Sequence, residues 1–361
     1  MIEIYENSGD DEPQTIIAFE GMQYDSFLLE LINEKEFIVS LTGLGYSLHE
    51  IVYDNYIKGI EYSMIYDRNL CSYINDLVNG NRLNNPLLRN VIALLTYVQI
   101  GKIISEPTIA YYEYAQSSDF KKLKMDLMNF SKADNHDFRQ YLNYLNGGMS
   151  IERLCANIKK TKENDFADFT EERARKKLTI FKHNVITVKK AILLMLQGFE
   201  HKEVFIRLLE WMYGDYLFTG VAFPWLIQNI TPLNRGKILR DICFRNINNW
   251  TWDMSLIQYC LQRNIEFKKT KHFCFLASND KALKRAYKFI ARSDVCDSVN
   301  ELKKLILESW GDEKASEEIS LKYEEVILKQ NDPNRMRFKG LSEDYINELE
   351  NMIDIEITNI I

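Results

Sequence analysis

Fifteen glycines and six prolines in 361 residues leave few places where the chain can turn sharply, and this scarcity constrains the fold more than any other feature. All-β sandwiches need a turn signal roughly every 8–12 residues. Long helices joined by few tight turns are therefore expected. Hydrophobic residues make up 46% of the chain, enough for a sizeable core and for more than one domain. No uncharged apolar run reaches the roughly 18–20 residues of a membrane span. The best, 191–196, is far shorter. The cysteines (Cys71, Cys155, Cys243, Cys260, Cys274 and Cys296) are widely spaced, with no Cys-x-x-Cys pair. No apolar leader precedes Asp10-Asp11-Glu12, so a reducing cytoplasmic setting is expected.

The net charge of −7 averages over segments of opposite sign. Residues 1–60 hold twelve acids against Lys35 and Lys58. Residues 235–292 hold thirteen Lys and Arg against four Asp and Glu, and residues 294–361 hold seventeen acids against eight bases. Such blocks fit either unevenly charged helix faces or a polyanion-binding middle flanked by acidic ends.

Short β-like runs at 15–19 and 37–41 surround a helical stretch at 24–33. Residues 61–66 form a β-prone run ending on Asp67-Arg68-Asn69, after which Leu70, Ile74, Leu77 and Val78 recur at helical spacing. Pro86 opens an apolar helix to about Ile100; a short run at 102–105 then leads to Pro107 and a helix carrying Glu113. Residues 119–214 read as helical throughout, and 233–246 as a further helix. A loop of Asn and Trp then leads to a helix opened by Asp253; a strand at 273–277 leads to a helix opened by Asp280, with Leu283, Ala286, Tyr287 and Ile290 on one face. The tail is helical and acidic.

Four acids thus stand at strand ends or on helices: Asp67, Glu113, Asp253 and Asp280. Strand ends in a parallel sheet converge on one edge. Carboxylates gathered there suit Mg²⁺ or Mn²⁺, hard ions that take oxygen ligands and activate water for phosphodiester hydrolysis without a protein nucleophile. Each acid also has a plain structural reading: Asp253 and Asp280 as helix caps, Asp67 as a turn residue, Glu113 as a solvated helix position.

The motifs Ile65-Tyr66-Asp67-Arg68-Asn69, Pro107-Thr108-Ile109-Ala110-Tyr111-Tyr112-Glu113, Trp252-Asp253-Met254-Ser255-Leu256-Ile257 and Phe275-Leu276-Ala277-Ser278-Asn279-Asp280 together resemble the PIN-domain family of metal-dependent ribonucleases. The likeness spans 61–115 and 248–290. It implies Asp67, Glu113, Asp253 and Asp280 as metal ligands, with Asn69 and Ser278 supporting them. The long gap between Glu113 and Asp253 departs from a minimal PIN domain. It leaves Glu106, Glu210 and Asp215 as alternatives for the second ligand.

Other signals are weaker. Gly43-Leu44-Gly45 lacks the rest of a dinucleotide fingerprint. The five histidines show neither a His-Glu-x-x-His pair nor zinc-like spacing with cysteine, so no zinc site is expected. Trp250 and Trp252 read either as base-stacking residues or as anchors to a core.

The expected molecule is a helix-rich α/β protein whose PIN-like core (61–118 and 215–292) has a short, mostly parallel sheet. A helical insertion (119–214) splits this core, and an acidic N-terminal extension (1–60) and an acidic helical tail (293–361) flank it. The expected activity is Mg²⁺- or Mn²⁺-dependent cleavage of nucleic acid, RNA in preference to DNA. Lys281, Lys284, Arg285 and Lys288, with Arg173, Arg175, Lys176 and Lys177, would hold phosphates. An acidic end shielding this basic surface, or an inhibitory or effector protein partner, fits the charge pattern. The alternatives are a non-catalytic PIN-like interaction scaffold and a nucleic-acid binder without hydrolysis.

Overall fold

A computed structural model describes residues 2–7, 14–39, 46–115, 119–164, 169–175, 179–217, 220–240, 244–293, 298–329 and 342–361. The chain divides into two compact units, Met1–Lys176 with Cys260–Asp280, and Lys177–Tyr259 with Lys281–Ile361. Among the described residues it is helix-rich, with one small mixed sheet of four strands and one two-stranded ribbon.

The ribbon pairs β1 (Ile2–Asn7) and β2 (Gln14–Phe19) antiparallel. The larger sheet has β3 (Ile38–Val39), β4 (Glu61–Tyr66), β5 (Ile104–Glu106) and β6 (His272–Ala277) in the order β3-β6-β4-β5. β4 lies at its centre, parallel to both β5 and β6, while β3 runs antiparallel along the far edge of β6. From Tyr62 to Tyr66, β4 is buried, as expected of a parallel strand covered on both faces. Its two-residue repeat sends Tyr62, Met64 and Tyr66 into the apolar core with Phe275 and Ala277 of β6.

Among the described residues, helices around this sheet in the first unit include α1 (Asp25–Asn33), α2 (Leu48–Tyr53), α3 (Arg68–Asn79), α4 (Leu87–Ile100), α5 (Thr108–Ala115), α6 (Phe120–Asp134), α7 (Phe138–Leu145), α8 (Ile151–Ile158) and α9 (Glu171–Arg175). α4 is the hub, buried around most of its circumference and packed by α1, α3 and α7. α3 starts at Asp67, whose carboxylate caps it, and stops at Gly80 in the left-handed conformation that glycine adopts without strain. α6 lays Leu123, Leu127 and Phe130 into the core, the last edge-on to Tyr66 at 5.1 Å.

The second unit is helical among its described residues. It holds α10 (Thr179–Leu196), α11 (His201–Gly214), α12 (Ala222–Asn229), α13 (Arg235–Arg240) and most of α14 (Phe244–Ile265). After the short α15 (Phe267–Thr270) and β6 in the first unit, the chain adds α16 (Lys281–Ser293), α17 (Ser298–Trp310), α18 (Glu313–Lys329) and α19 (Glu343–Ile360). α19 packs on α10, and α18 packs on α11 and α17.

These units redraw the expected boundaries. Part of the segment expected as an N-terminal extension is built in, because β3 pairs with β6 and α1 packs on α4. The expected insertion is split: α6 to α9 belong with the sheet, and α10 and α11 with the C-terminal helices. The acidic tail is no loose shield. Ile319, Tyr323 and Val326 of α18 and Ile346, Ile353 and Ile357 of α19 are buried. Several of its acids pair with lysines: Glu350 and Asp354 each hold the buried Lys189 at 2.7 Å, Glu318 pairs with Lys202, and Glu343 with Lys182. An uncompensated Lys189 would be costly to bury, which ties α19 to α10. Asp10, Asp11, Glu12, Gly43, Leu44, Gly45, Cys243, Cys296, Lys176 and Lys177 lie outside the described residues. Among the described residues no helix is long and apolar enough to cross a membrane.

Leu94 on α4 is fully buried in the sheet unit's core. Leu94→Ala should cost about 2–5 kcal/mol by loss of transfer energy and creation of a cavity. Met125→Ala, on an exposed position of α6, should stay within about 0.5 kcal/mol. Urea unfolding monitored by circular dichroism distinguishes the two.

Candidate functional site

The carboxyl ends of β4 and β6 lie side by side, because Tyr66 pairs with Ala277. The next residues are therefore neighbours: the Asp67 amide donates to the Ala277 carbonyl at 3.0 Å, and the Ser278 amide to the Phe37 carbonyl at 2.9 Å. Asp67 is 4% exposed, and its carboxylate is heavily engaged. Oδ1 accepts from the Leu70 amide at 2.8 Å, and Oδ2 accepts from the Ser278 hydroxyl. The Asn279 amide also stabilises the carboxylate. Ser278 Oγ in turn accepts from the Asp280 amide at 2.9 Å, so one hydroxyl links the two acids.

Burial nevertheless dominates at Asp67. It lifts the carboxyl from 3.8 to about 6, against the hydrogen bonds from Ser278 and Leu70, and the Asp280 charge adds to the rise. Glu113, on α5, is pushed up from 4.5 to about 7, first by burial and further by Asp67. Arg68 opposes this, its guanidinium 3.2 Å from Glu113 Oε1. Both acids also act on the buried Cys71 thiol one turn along α3, raising it beyond what burial alone does. Asp67 thus stands electrostatically between Asp280 and Glu113, with Arg68 as the cation paired to one of them.

Not every expected residue joins this group. Asn69 is exposed on the first turn of α3. Asp253 does not open a helix: α14 begins at Phe244, and Asp253, in the second unit, is the tenth residue along it. The Asn-Trp stretch expected as a loop is helical because packing overrides its weak propensity. Ile247, Thr251, Trp252 and Ser255 form a buried stripe, and Trp252 lies 4.5 Å from the Phe181 ring. Trp252 is therefore a core anchor rather than a base-stacking platform. Lys284 is also buried, at 6% exposure. It falls within the buried Leu283–Tyr287 stripe. Lys281 and Arg285 are exposed, and Arg285 and Lys288 line a cavity of about 140 Å³ with Glu301, Lys304 and Glu308 of α17. That surface carries both signs of charge. Of the other basic candidates, Arg173 is exposed. Among the alternative ligands, Glu106 pairs with Arg263, and Glu210 with Lys322.

The donors fit Mg²⁺ or Mn²⁺ in kind, being carboxylate and hydroxyl oxygens. Mg²⁺ needs only one or two carboxylates, the remaining positions being filled by water and substrate oxygens. Asp67, Glu113 and Asp280 do not form a tight ligand set: among the described residues, the group of three whose donor atoms all lie within 4.8 Å of one another is Glu106, His272 and Cys274. Sequence reasoning missed that group, and it also missed Arg68. His272-Phe273-Cys274 carries a legible signal, since alternate residues of a strand share a face. No family model, curated protein or solved structure matches the chain.

Asp67 and Glu113 retain protons in the folded chain at pH values where the unfolded chain has lost them. The folded state therefore binds more protons over that window, and stability falls as pH rises. Their contribution should be fully present below about pH 4 and lost as pH rises through about 6 and about 7. Asp67→Asn should flatten the lower part of this profile. Urea midpoints between pH 4 and 8 measure it, and an identical slope in the mutant would contradict the assignment.

Proposed function

We propose that this chain is a divalent-metal-dependent nuclease built on a PIN-like core, with RNA as its preferred substrate. The observation that carries the reading is the buried Asp67 carboxylate at the end of the central parallel strand, bonded to Ser278 and coupled to Asp280 and Glu113. Ligands in open α/β sheets gather outside the carboxyl ends of the strands. The preference for RNA rests on the family resemblance alone.

Asp67, Asp280 and Glu113 are the residues that would hold Mg²⁺ or Mn²⁺. When bound, the ion supplies Lewis acidity toward a phosphate oxygen and lowers the pKa of a coordinated water. Ser278 fixes the orientation of Asp67, and its bond to the Asp280 amide keeps both strand-end acids in register. Arg68, paired with Glu113, brings a guanidinium to this edge, a group suited to bind phosphate oxygens. Lys281 follows Asp280 directly in the chain and is exposed.

The Arg68–Glu113 pair also favours a second reading, a non-catalytic scaffold in which the guanidinium permanently occupies the position a metal would take. Cleavage of labelled RNA and DNA oligonucleotides in Mn²⁺, Mg²⁺ or EDTA separates the two. The nuclease should cut RNA faster than DNA, only with a divalent ion. Asp67→Asn and Asp280→Asn should each lose about a hundredfold or more in rate with unchanged circular dichroism, equal to about 2.7 kcal/mol of lost transition-state stabilisation. Absence of cutting by folded wild type, together with no heat of Mn²⁺ binding, would establish the scaffold.

A further inference from the structure

A second group of reactive side chains lies in the sheet unit, apart from the carboxylates discussed above. β6 begins His272-Phe273-Cys274, and the strand repeat sends His272 and Cys274 to one face. Cys274 is in register with Ser63 of β4, and Ser63 with Ile104 of β5, which places Glu106, two residues on, on that face as well. This is the side away from Tyr62, Met64 and Tyr66, where the last turns of α14 bring Arg263 and Asn264 onto the sheet.

The donor atoms of Glu106, His272 and Cys274 all lie within 4.8 Å of one another. His272 Nε2 stands 3.8 Å from Glu106 Oε1, too far for a hydrogen bond, and is buried without any hydrogen-bond partner. Buried polar atoms are rarely left so, and each instance calls for a physical reason. Neighbouring groups hold the three side chains in place. Arg263 pairs with Glu106 and donates to His272 Nδ1 at 3.2 Å, while the Ser63 hydroxyl donates to Cys274 Sγ at 3.1 Å.

We infer that Glu106, His272 and Cys274 form a binding site for a divalent ion of the zinc class, independent of the carboxylate site. Donor chemistry sets the class: Mg²⁺ and Ca²⁺ take oxygen, whereas thiolate, imidazole and carboxylate together suit borderline-soft ions in tetrahedral geometry. Bond lengths of about 2.0–2.3 Å place tetrahedral ligands roughly 3.3–3.8 Å apart. For nitrogen and oxygen ligands the separation is roughly 3.3–3.5 Å, so Nε2 and Oε1, at 3.8 Å, close by a few tenths of an ångström on binding. Three protein ligands leave a fourth position for water. His272 and Glu106 are each 19% exposed, which gives the ion a path from solvent.

Binding requires proton movements that name a competitor. Arg263 can only donate, so Nδ1 accepts and the neutral ring carries its proton on Nε2. Coordination through Nε2 moves that proton to Nδ1, turns Arg263 away from the ring, and releases the thiol proton of Cys274 to solvent as the Sγ–metal bond forms. Arg263 is thus a cation that the metal displaces from His272. Arg263→Gln should tighten binding, since an amide oxygen can accept from Nδ1–H.

Titrating the full chain with Co²⁺, a spectroscopic substitute for zinc, tests this directly. Wild type and Asp67→Asn should each bind one equivalent with a thiolate-to-cobalt charge-transfer band that Zn²⁺ abolishes. Cys274→Ser should lose the band. His272→Gln and Glu106→Gln should weaken binding about tenfold or more, and Arg263→Gln should strengthen it by a similar factor. A folded wild type with no such band at a large excess of Co²⁺ overturns the site, as does a band unchanged in Cys274→Ser. If Cys274→Ser does not fold, unchanged affinity in His272→Gln, a partly exposed position, overturns it equally. Loss of the band in a folded Asp67→Asn would overturn the independence of the two sites.

Discussion

The pairing of β4 with β6 is the contact on which the first unit depends. It joins segments 211 positions apart in register from Glu61 against His272 to Tyr66 against Ala277. A slip of one residue would turn Tyr62, Met64 and Tyr66 out of the core and replace them with Ser63 and Ile65. It would also part Asp67 from Ser278 and Cys274 from Ser63. The apolar core, the carboxylate edge and the Glu-His-Cys group are all products of that one alignment. Loop-closure entropy opposes it, and the aromatic pack of Tyr62, Phe273 and Phe275, with Tyr62 and Phe275 stacked at 5.5 Å, is part of what repays that cost.

Charge is handled differently in the two units. In the second, buried Lys189 meets two carboxylates, and acids of the tail engage Lys182 and Lys202 as well. In the first, Asp67 and Glu113 are buried carboxylates whose pKa is held up by desolvation, and Arg68 pairs with Glu113. Burial raises the proton affinity of Asp67 and Glu113. Strongly perturbed carboxylates at the end of a central strand are the physical basis for reading function into this edge.

Much of the sheet unit was legible in the chain. The β-prone run before Asp67 and the apolar run before Ser278 marked β4 and β6 closely, and Pro107 marked the start of α5. The juxtaposition of Asp67 with Ser278 follows once those strands are parallel. What stayed hidden depended on partners distant in sequence. Arg68 meets Glu113 from 45 positions away, and no local pattern announces it. α14 runs through Asn248, Asn249 and Trp250, residues of indifferent helix propensity, because Trp252 packs on Phe181. The periodicity of the acidic tail revealed helices, but not that α19 lies against α10 with Lys189 between them. His272 and Cys274 stand two residues apart but were not read as a pair, and Glu106 joins them only through the register of β5 on β4.

The order in which the chain threads its two units has a consequence for synthesis on the ribosome. The first unit's central strand emerges early, but its partner β6 follows only after α10 to α14 have been made. Until then β4 has an open edge, with polar backbone groups that any extended segment can pair with. Helices α10 to α14 in turn wait for α16 to α19. Neither unit can be completed from a contiguous stretch of nascent chain. Strictly sequential folding is closed to this protein: the sheet unit can close only once β6 has been made, and the helical unit only once α16 to α19 have followed.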